Sequence, residues 1–300
     1  RSDAAVPPQN TARQADQMTD QRWSGADAAL VSRVGDQLAG CGPLGVAFSG
    51  GVDSAVLVAL AAHTLGPEQV LAIIGVSPSL AESERTQAHE VARFIGVRVI
   101  EVETHEGDLE AYRRNGPDRC FHCKNDLFTR ISDEVVAAYG LRAVAYGENA
   151  DDAKRPDRPG ANAATAHRVL RPLAAAGLTK ADVRRIAHVL ELPCADKPAA
   201  PCLASRIPHF RQVDPATLRQ IEQAEAALRA LGFADLRVRH HGDVARIELL
   251  AEDLERAVAM PLRADIQAAM NTAGFRFCAV DLAGIQSGAF TLPLVASSRG

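Results

Sequence analysis

The chain lacks any run of about 18 or more apolar residues, so it holds no candidate membrane-spanning helix. It also lacks an excess of basic charge: 33 Lys and Arg against 37 Asp and Glu give a net charge of −4, with both signs scattered throughout. Without a basic stripe, nucleic acid is a poor candidate partner. Cysteine is scarce, six in 300 residues and unevenly spaced, which excludes a disulfide-stapled scaffold and fits a reducing, cytoplasmic setting. Two nucleotide signatures are missing as well. There is no G-x-x-x-x-G-K-[ST] loop and no G-x-G-x-x-G turn after the first strand, so the chain reads neither as a kinase-like triphosphatase nor as a dinucleotide fold.

What is present is an apolar content of 47%, enough to build the core of one large domain or two modest ones. The first twenty residues are polar, with Pro7 and Pro8, in place of the basic-then-apolar pattern of an export signal, and residues 1–23 read as a disordered tail. Ser24 is the expected N-cap of a helix with Leu30, Val31, Val34 and Leu38 on one face, stopped by Gly40-Cys41-Gly42-Pro43. An apolar run at 44–48, a helix over 54–65, a strand over 70–76, a helix over 82–95 and a strand over 97–102 follow. After a polar stretch carrying Cys120 and Cys123, a helix over 124–139 leads into a strand at 143–146.

Strands alternating with helices, with near-continuous apolar runs in the early strands, predict an α/β fold. We expect an open parallel sheet with helices on both faces, over residues 24–205. Within it, 151–168 reads as a loop insertion, and an aperiodic segment over 192–206 follows a helix opened by Thr179. Beyond, the order helix, strand, strand, helix broken at Pro261, strand predicts a smaller α+β domain over 206–300.

The first strand ends in Ser49-Gly-Gly-Val-Asp-Ser54. Gly50 and Gly51 permit backbone angles that turn consecutive N–H groups toward an anion, Ser49 and Ser54 can add hydroxyl donors, and the next helix aims its positive end at the same place. An acidic residue belongs in such a site when a cation is present, so Asp53 is the candidate holder of Mg2+ between itself and phosphates. This stretch resembles the PP-loop of ATP pyrophosphatases, which cleave ATP between the α and β phosphates. A second turn, Tyr146-Gly-Glu-Asn-Ala-Asp-Asp152, closes the fourth apolar strand and puts Gly147 and Glu148 beside the ATP site if the superfamily pattern applies.

Cys120-Phe-His-Cys123 is a C-x-x-C pair, a spacing used for zinc, for iron–sulfur clusters or for redox dithiols. A thioredoxin fold is not predicted, and no second pair completes a four-cysteine zinc site. Cys202 lies in a loop of prolines and small residues, with Arg206 near enough in sequence to stabilise a thiolate. Three thiolates suit a four-iron cluster with one open iron; three unrelated surface thiols are the alternative. Cys41, Cys194 and Cys278 have apolar or small neighbours and read as thiols of the core or its margin.

The combination of SGGVDS, R-C-x-x-C-K (Arg119 to Lys124), G-E-N-x-D-D, K-P-x-x-x-C-L-A-S-R (Lys197 to Arg206) and R-V-R-H-H-G-D-x-A-R-I-E (Arg237 to Glu248) resembles the LarE family of ATP-dependent sulfur transferases over roughly residues 24–290. The resemblance implies that ATP adenylates the carboxylates of pyridinium-3,5-biscarboxylic acid mononucleotide and that sulfur then displaces AMP, in the making of the nickel-pincer nucleotide. It implies Cys202, Ser205 and Arg206 at the reacting centre, and Arg237, Arg239, Arg246 and Glu248 handling phosphate and metal. One branch of the family sacrifices the sulfur of a single cysteine at the Cys202 position. The other carries the extra pair and is similar to enzymes whose three cysteines hold a [4Fe-4S] cluster. Cys120 and Cys123 place this chain in the cluster branch, with a sulfide donor as partner and a homo-oligomer as the expected assembly.

Rival readings are an iron–sulfur tRNA thiolase, whose loop usually carries lysine where this chain has Val52, an ammonia-using PP-loop synthetase, and a nucleotide-binding regulatory module. The alternating Arg237-Val-Arg-His-His241 reads equally as a half-exposed strand with solvated charges.

Overall fold

The computed structural model describes residues 23, 25–155 and 160–285. Residues 1–22 of the tail expected over 1–23, the Ser24 cap, residues 156–159 of the expected insertion and residues 286–300 of the expected second domain lie outside the described residues.

The first half alternates strand and helix: α1 (Ala26–Leu38), β1 (Leu44–Ala47), α2 (Val52–Leu65), β2 (Val70–Val76), α3 (Glu82–Ile95), β3 (Arg98–Glu103), α4 (Arg119–Arg130) and β4 (Ala143–Tyr146). All four strands are parallel, in the order β3-β2-β1-β4. Both faces are covered, and β2 shows why: Val70, Ala72 and Ile74 pack with α1, α2 and α3, while Leu71 and Ile73 pack with Phe128, Ile131 and Val135 on the other face. A strand buried on both sides needs an unbroken apolar run, which Val70-Leu-Ala-Ile-Ile74 supplies. α2 has ten buried residues around its whole circumference, so it is a core helix and not an amphipathic one.

The helix predicted from 124 begins at Arg119, so the C-x-x-C pair lies in its first turns; it continues through a wide turn at Ile131–Val135 to Tyr139. The segment read as a loop insertion contains a helical turn at Ala150–Ala153 and the helix α5 (Gly160–Ala166). α5 buries Gly160, Ala163 and Ala164, and a Cβ on Gly160 would stand 2.7 Å from the Lys124 side chain of α4. Small residues here permit close packing of helices, where the sequence reads as punctuation.

Further on come α6 (Lys180–Val189), the 3-10 turn Leu203–Arg206, α7 (Pro215–Ala230), β5 (Leu236–His241), β6 (Val244–Leu249), α8 (Ala251–Val258), α9 (Leu262–Thr272) and β7 (Phe277–Val280). β5 and β6 form an antiparallel hairpin and β7 joins β6 in parallel, a smaller mixed sheet. The helix expected over 252–273 is two helices divided near Pro261, whose ring removes a backbone donor. Arg237 and Arg239 are buried together with Val238, so the reading of β5 as a half-exposed strand with solvated arginines does not apply at these positions.

Candidate active site

Chain order reverses between β1 and β4, which are neighbours in the sheet, and ligands of open α/β sheets bind outside the carboxyl ends of the strands at such a point. The turn after β1 is Ser49–Gly51 and the turn after β4 is Gly147–Asn149. The second turn touches the helix that follows the first: a Cβ on Gly147 would lie 2.7 Å from the Ser54 nitrogen and 2.8 Å from the Asp53 carbonyl carbon. Gly50 has φ of 69° and its missing side chain admits Ala88 of α3, whose Cα would stand 2.7 Å from a Cβ. Both glycines are therefore required by close backbone approach.

Within the loop, the Ser49 and Ser54 hydroxyls are 3.2 Å apart, Ser54 Oγ donates to the Gly51 carbonyl at 3.0 Å, and the Gly51 N–H points at Ser49 Oγ. α2 begins at Val52, two residues earlier than expected, which sets Asp53 in its first turn. Asn149 caps the turn at 150–153 with its Oδ1 and donates its Nδ2 to Asp53 Oδ1 at 3.0 Å. Asp53 Oδ2 is in an ion pair with Lys180. Lys180 is the first residue of α6, which Thr179 and Asp182 open as a capping box. The sequence reading missed Lys180; only the Thr179 cap pointed to where its helix begins.

A cavity of about 370 Å³ runs from this loop to the thiols. Ser49, Gly51, Asp53, Ser54, Gly147 and Glu148 line one end; Glu106, Cys123 and Cys202 line it as well, and Phe48, Leu127, Phe128 and Tyr146 contribute apolar wall. Glu148 is buried and faces Arg171 at 3.5 Å.

Cys120 and Cys123 are three apart on α4, and thus share a side of it. Cys202 opens the turn Leu203–Arg206. Arg119, buried, joins the two: its Nη1 donates to the Ala204 carbonyl at 2.8 Å and to Asn115 Oδ1 at 2.6 Å. Asn115 in turn donates to the carbonyls of Ile207 and Pro208. From the opposite side the Leu203 N–H donates to the Ser79 carbonyl at 3.0 Å. Burial pushes the Cys123 thiol well above its ordinary range, and the charges of Glu106, Cys202 and Cys120 push the same way against Arg119. The Tyr112 hydroxyl is raised by burial and then by Cys202. Among the described residues no three His, Cys, Asp or Glu side chains stand together as a ready metal-binding group. Cys194 is a buried core thiol as expected, whereas Cys278 is exposed on β7.

Ser205 and Arg206 adjoin Cys202, but the Arg206 guanidinium forks onto Glu225 (2.8 and 3.2 Å) and onto Ser205 Oγ at 3.0 Å. It holds the loop. Arg239 pairs bidentately with Glu248 at 2.9 Å and donates to the Ser205 carbonyl at 2.8 Å, while Arg246 shares Glu248. Arg237 lines a second cavity of about 820 Å³ together with Lys197, Arg206 and Arg229. Burial, then the like charges of Arg239 and Arg206, lowers its pKa, an environment that an anion relieves.

The asparagine synthase family profile matches residues 25–246. The pyridinium-3,5-bisthiocarboxylic acid mononucleotide synthase of Lactiplantibacillus plantarum is 32% identical over 243 residues, which cover 81% of this chain and 87% of that protein. The chain belongs to the LarE family. As a LarE-family member with a PP-loop ATP pyrophosphatase domain it is an enzyme, an ATP-dependent sulfurtransferase. An uncharacterized protein of Synechocystis is 37% identical over 81% of this chain and 90% of its own length. The NH(3)-dependent NAD(+) synthetase of Methanococcoides burtonii matches at 37% identity over 37% of this LarE-family chain and 43% of its own. No helix among the described residues is long and apolar enough to cross a membrane.

Proposed function

We propose that this protein adenylates the carboxylates of pyridinium-3,5-biscarboxylic acid mononucleotide and converts them to thiocarboxylates, the bis-thio product named by its Lactiplantibacillus relative. One observation carries the reading: the loop Ser49–Ser54 and the thiols of Cys123 and Cys202 line a single cavity. An adenylating site and a sulfur site must be that close, because the activated acyl carbon is attacked before water reaches it.

Ser49, Gly50, Gly51 and Ser54 offer N–H and hydroxyl donors to the pyrophosphate end of ATP, with Gly147 and Glu148 closing the other side of the crevice. A substrate carboxylate oxygen attacks the α-phosphorus, the bond to the β-phosphate bridge breaks, and the loop carries the charge of the departing pyrophosphate. Asp53 fits Mg2+ by its place at the head of α2 beside the loop; with nucleotide bound, Lys180 stands ready to turn its charge to phosphate. A sulfur nucleophile at the Cys202 end then attacks the acyl carbon and AMP departs with the carbon–oxygen bond pair. Ser205 and Arg206 set the Cys202 loop. Arg237, with Arg206 and Arg229 beside it in the second cavity, receives the substrate phosphate, while Arg239 and Glu248 brace Ser205.

The donor set fits an iron–sulfur cluster in its chemistry, three thiols on two elements that Arg119 joins. Cys120, Cys123 and Cys202 would hold it, and when bound it would supply an open iron able to carry an added sulfide. The test is iron and acid-labile sulfide content of protein purified without oxygen, against Cys120→Ala. We expect about four iron per chain, lost in the variant. Iron-free protein that thiolates its substrate once, with a mass decrease at Cys202, would establish the sacrificial route instead.

A further inference from the structure

Glu106 has no role in the steps above, yet among the described residues it is a buried carboxylate with one oxygen unpartnered. It follows β3, is 2% exposed and lines the cavity that joins the ATP loop to the thiols. Its Oε1 accepts from the hydroxyls of Ser77 at 2.6 Å and Ser79 at 3.2 Å. Its Oε2 is buried with no hydrogen-bond partner. The other carboxylates there are placed differently: Asp53 faces Lys180 and Glu148 faces Arg171. The hydrogen bonds to the Glu106 carboxylate come from hydroxyls, and no ion pair to it occurs among the described residues. Among the described residues, the cavity lining has the carboxylates of Asp53, Glu106, Glu148 and Asp152 and the ammonium of Lys124. A buried carboxylate lacking a cation is costly unless something brings positive charge to it.

We propose that Glu106 is the specificity-determining group for the fixed positive charge of the substrate ring. This rests on the proposed function. Sulfur attacks a carbon bonded directly to the ring, so the ring must lie at the thiol end of the cavity. Glu106 belongs to that end: its partner Ser79 accepts at its carbonyl from the N–H of Leu203, the neighbour of Cys202, and Glu106 lines the cavity together with Cys123 and Cys202. In a pyridinium 3,5-dicarboxylate the cationic nitrogen lies two ring bonds from each carboxylate-bearing carbon. Whichever carboxylate reacts, the cation is therefore near Glu106, and the apolar wall of Leu127, Phe128 and Tyr146 suits a flat ring. Turning the ring over about its nitrogen exchanges the two carboxylates and leaves the charge in place. One buried anion thus serves both rounds of thiolation, which a group that grips a carboxylate does not.

The experiment compares wild type with Glu106→Gln, which keeps an oxygen for Ser77 and Ser79 and removes the charge, and with Glu106→Asp, which keeps the charge. Each is assayed for AMP release with the pyridinium dicarboxylate mononucleotide, for MgATP KM, and for competition by an isostere whose ring is a neutral benzene. Glu106→Gln should raise KM for the pyridinium substrate about tenfold or more in both rounds, leave MgATP KM within about twofold, and bind the neutral isostere as wild type does; Glu106→Asp should fall between. Equal KM values for the pyridinium substrate, a rise confined to MgATP, or a wild type that binds neutral and cationic rings alike would overturn the assignment. If Glu106→Gln does not fold, the Asp variant and the wild-type preference between rings decide. Wild-type protein that, with sulfide supplied, releases neither pyrophosphate nor AMP with this substrate would overturn the proposed function itself, and the inference with it.

Discussion

The Arg119 guanidinium donates to the carbonyl of Ala204 at 2.8 Å, so the residue preceding Cys120 is bonded to the residue two beyond Cys202. Two elements far apart in sequence are thereby held so that Cys123 and Cys202 line one cavity, with Cys120 exposed on the same helix as Cys123. Replacing Arg119 with Met leaves the Ala204 carbonyl and Asn115 Oδ1 without their donor in a buried place, at a cost of about 1–3 kcal/mol each. The sulfur step should suffer far more than adenylation. We expect thiocarboxylate formation to fall about 10²-fold, as a displacement of about 1 Å can do, while substrate-dependent exchange of pyrophosphate into ATP falls only with the loss of folded protein. Parallel loss of both activities at matched folded fraction would show that Arg119 supports the fold alone.

Gly147 and the first turn of α2 are in backbone contact, and a methyl group there would stand 2.7 Å from the Ser54 nitrogen. Neither chain can yield as a side chain would. Gly147→Ala should cost about 1–3 kcal/mol in unfolding experiments and displace the phosphate loop, giving a raised MgATP KM in whatever protein remains folded. Gly140→Ala is the comparison, since its site meets nothing within 4 Å although φ is 61°. It should lower stability and leave the KM unchanged.

The phosphate loop was legible because its function constrains the backbone itself: only glycine admits Ala88 and permits the turn at Gly50, and the apolar strand before it is unmistakable. The parallel sheet was legible for the same kind of reason. The start of α4 is hidden, since Arg-Cys-Phe-His-Cys-Lys shows no apolar period; the residues α4 buries are Arg119 and Phe128, with Cys123 half-buried and Cys120 exposed. α5 was hidden because small residues mark both loops and close helix packing. Lys180 and Glu106 carry no local pattern at all. What singles them out is long-range pairing in one case and the want of a counter-charge in the other, and neither exists before the chain is folded.

Lys180 reaches Asp53 from a helix more than a hundred residues away, and this pair sits at the mouth of the phosphate loop. Removing the ammonium should weaken nucleotide binding, because a hydrogen bond to a charged group contributes about 1.5–3 kcal/mol, or roughly tenfold and upward in affinity. Lys180→Met should therefore bind a non-hydrolysable ATP analogue at least about tenfold more weakly by calorimetry, with Lys180→Arg recovering part. Unchanged affinity in the Met variant would confine Lys180 to a structural tie between α6 and α2.

The seat of Gly50 on Ala88 depends on α3 keeping its place against β3, and Glu101 is the tie. It accepts two bonds from Arg85 at 2.7 Å and one contact from His89 at 2.7 Å, both on α3. These bonds, that of Arg85 first, lower the Glu101 carboxyl from 4.5 to about 2. A carboxyl depressed in the folded state contributes stability above its unfolded pKa and loses it as pH falls through the folded one. The contribution should thus be whole at neutral pH and fade between 4.5 and about 2. Its size is modest and salt-dependent, for the partners are partly exposed. Glu101→Gln should have a lower urea midpoint than wild type at pH 7, with the gap narrowing as pH drops below 4.5. A gap that stays constant with pH would mean that packing, and not the ion pair, fixes α3 behind the phosphate loop.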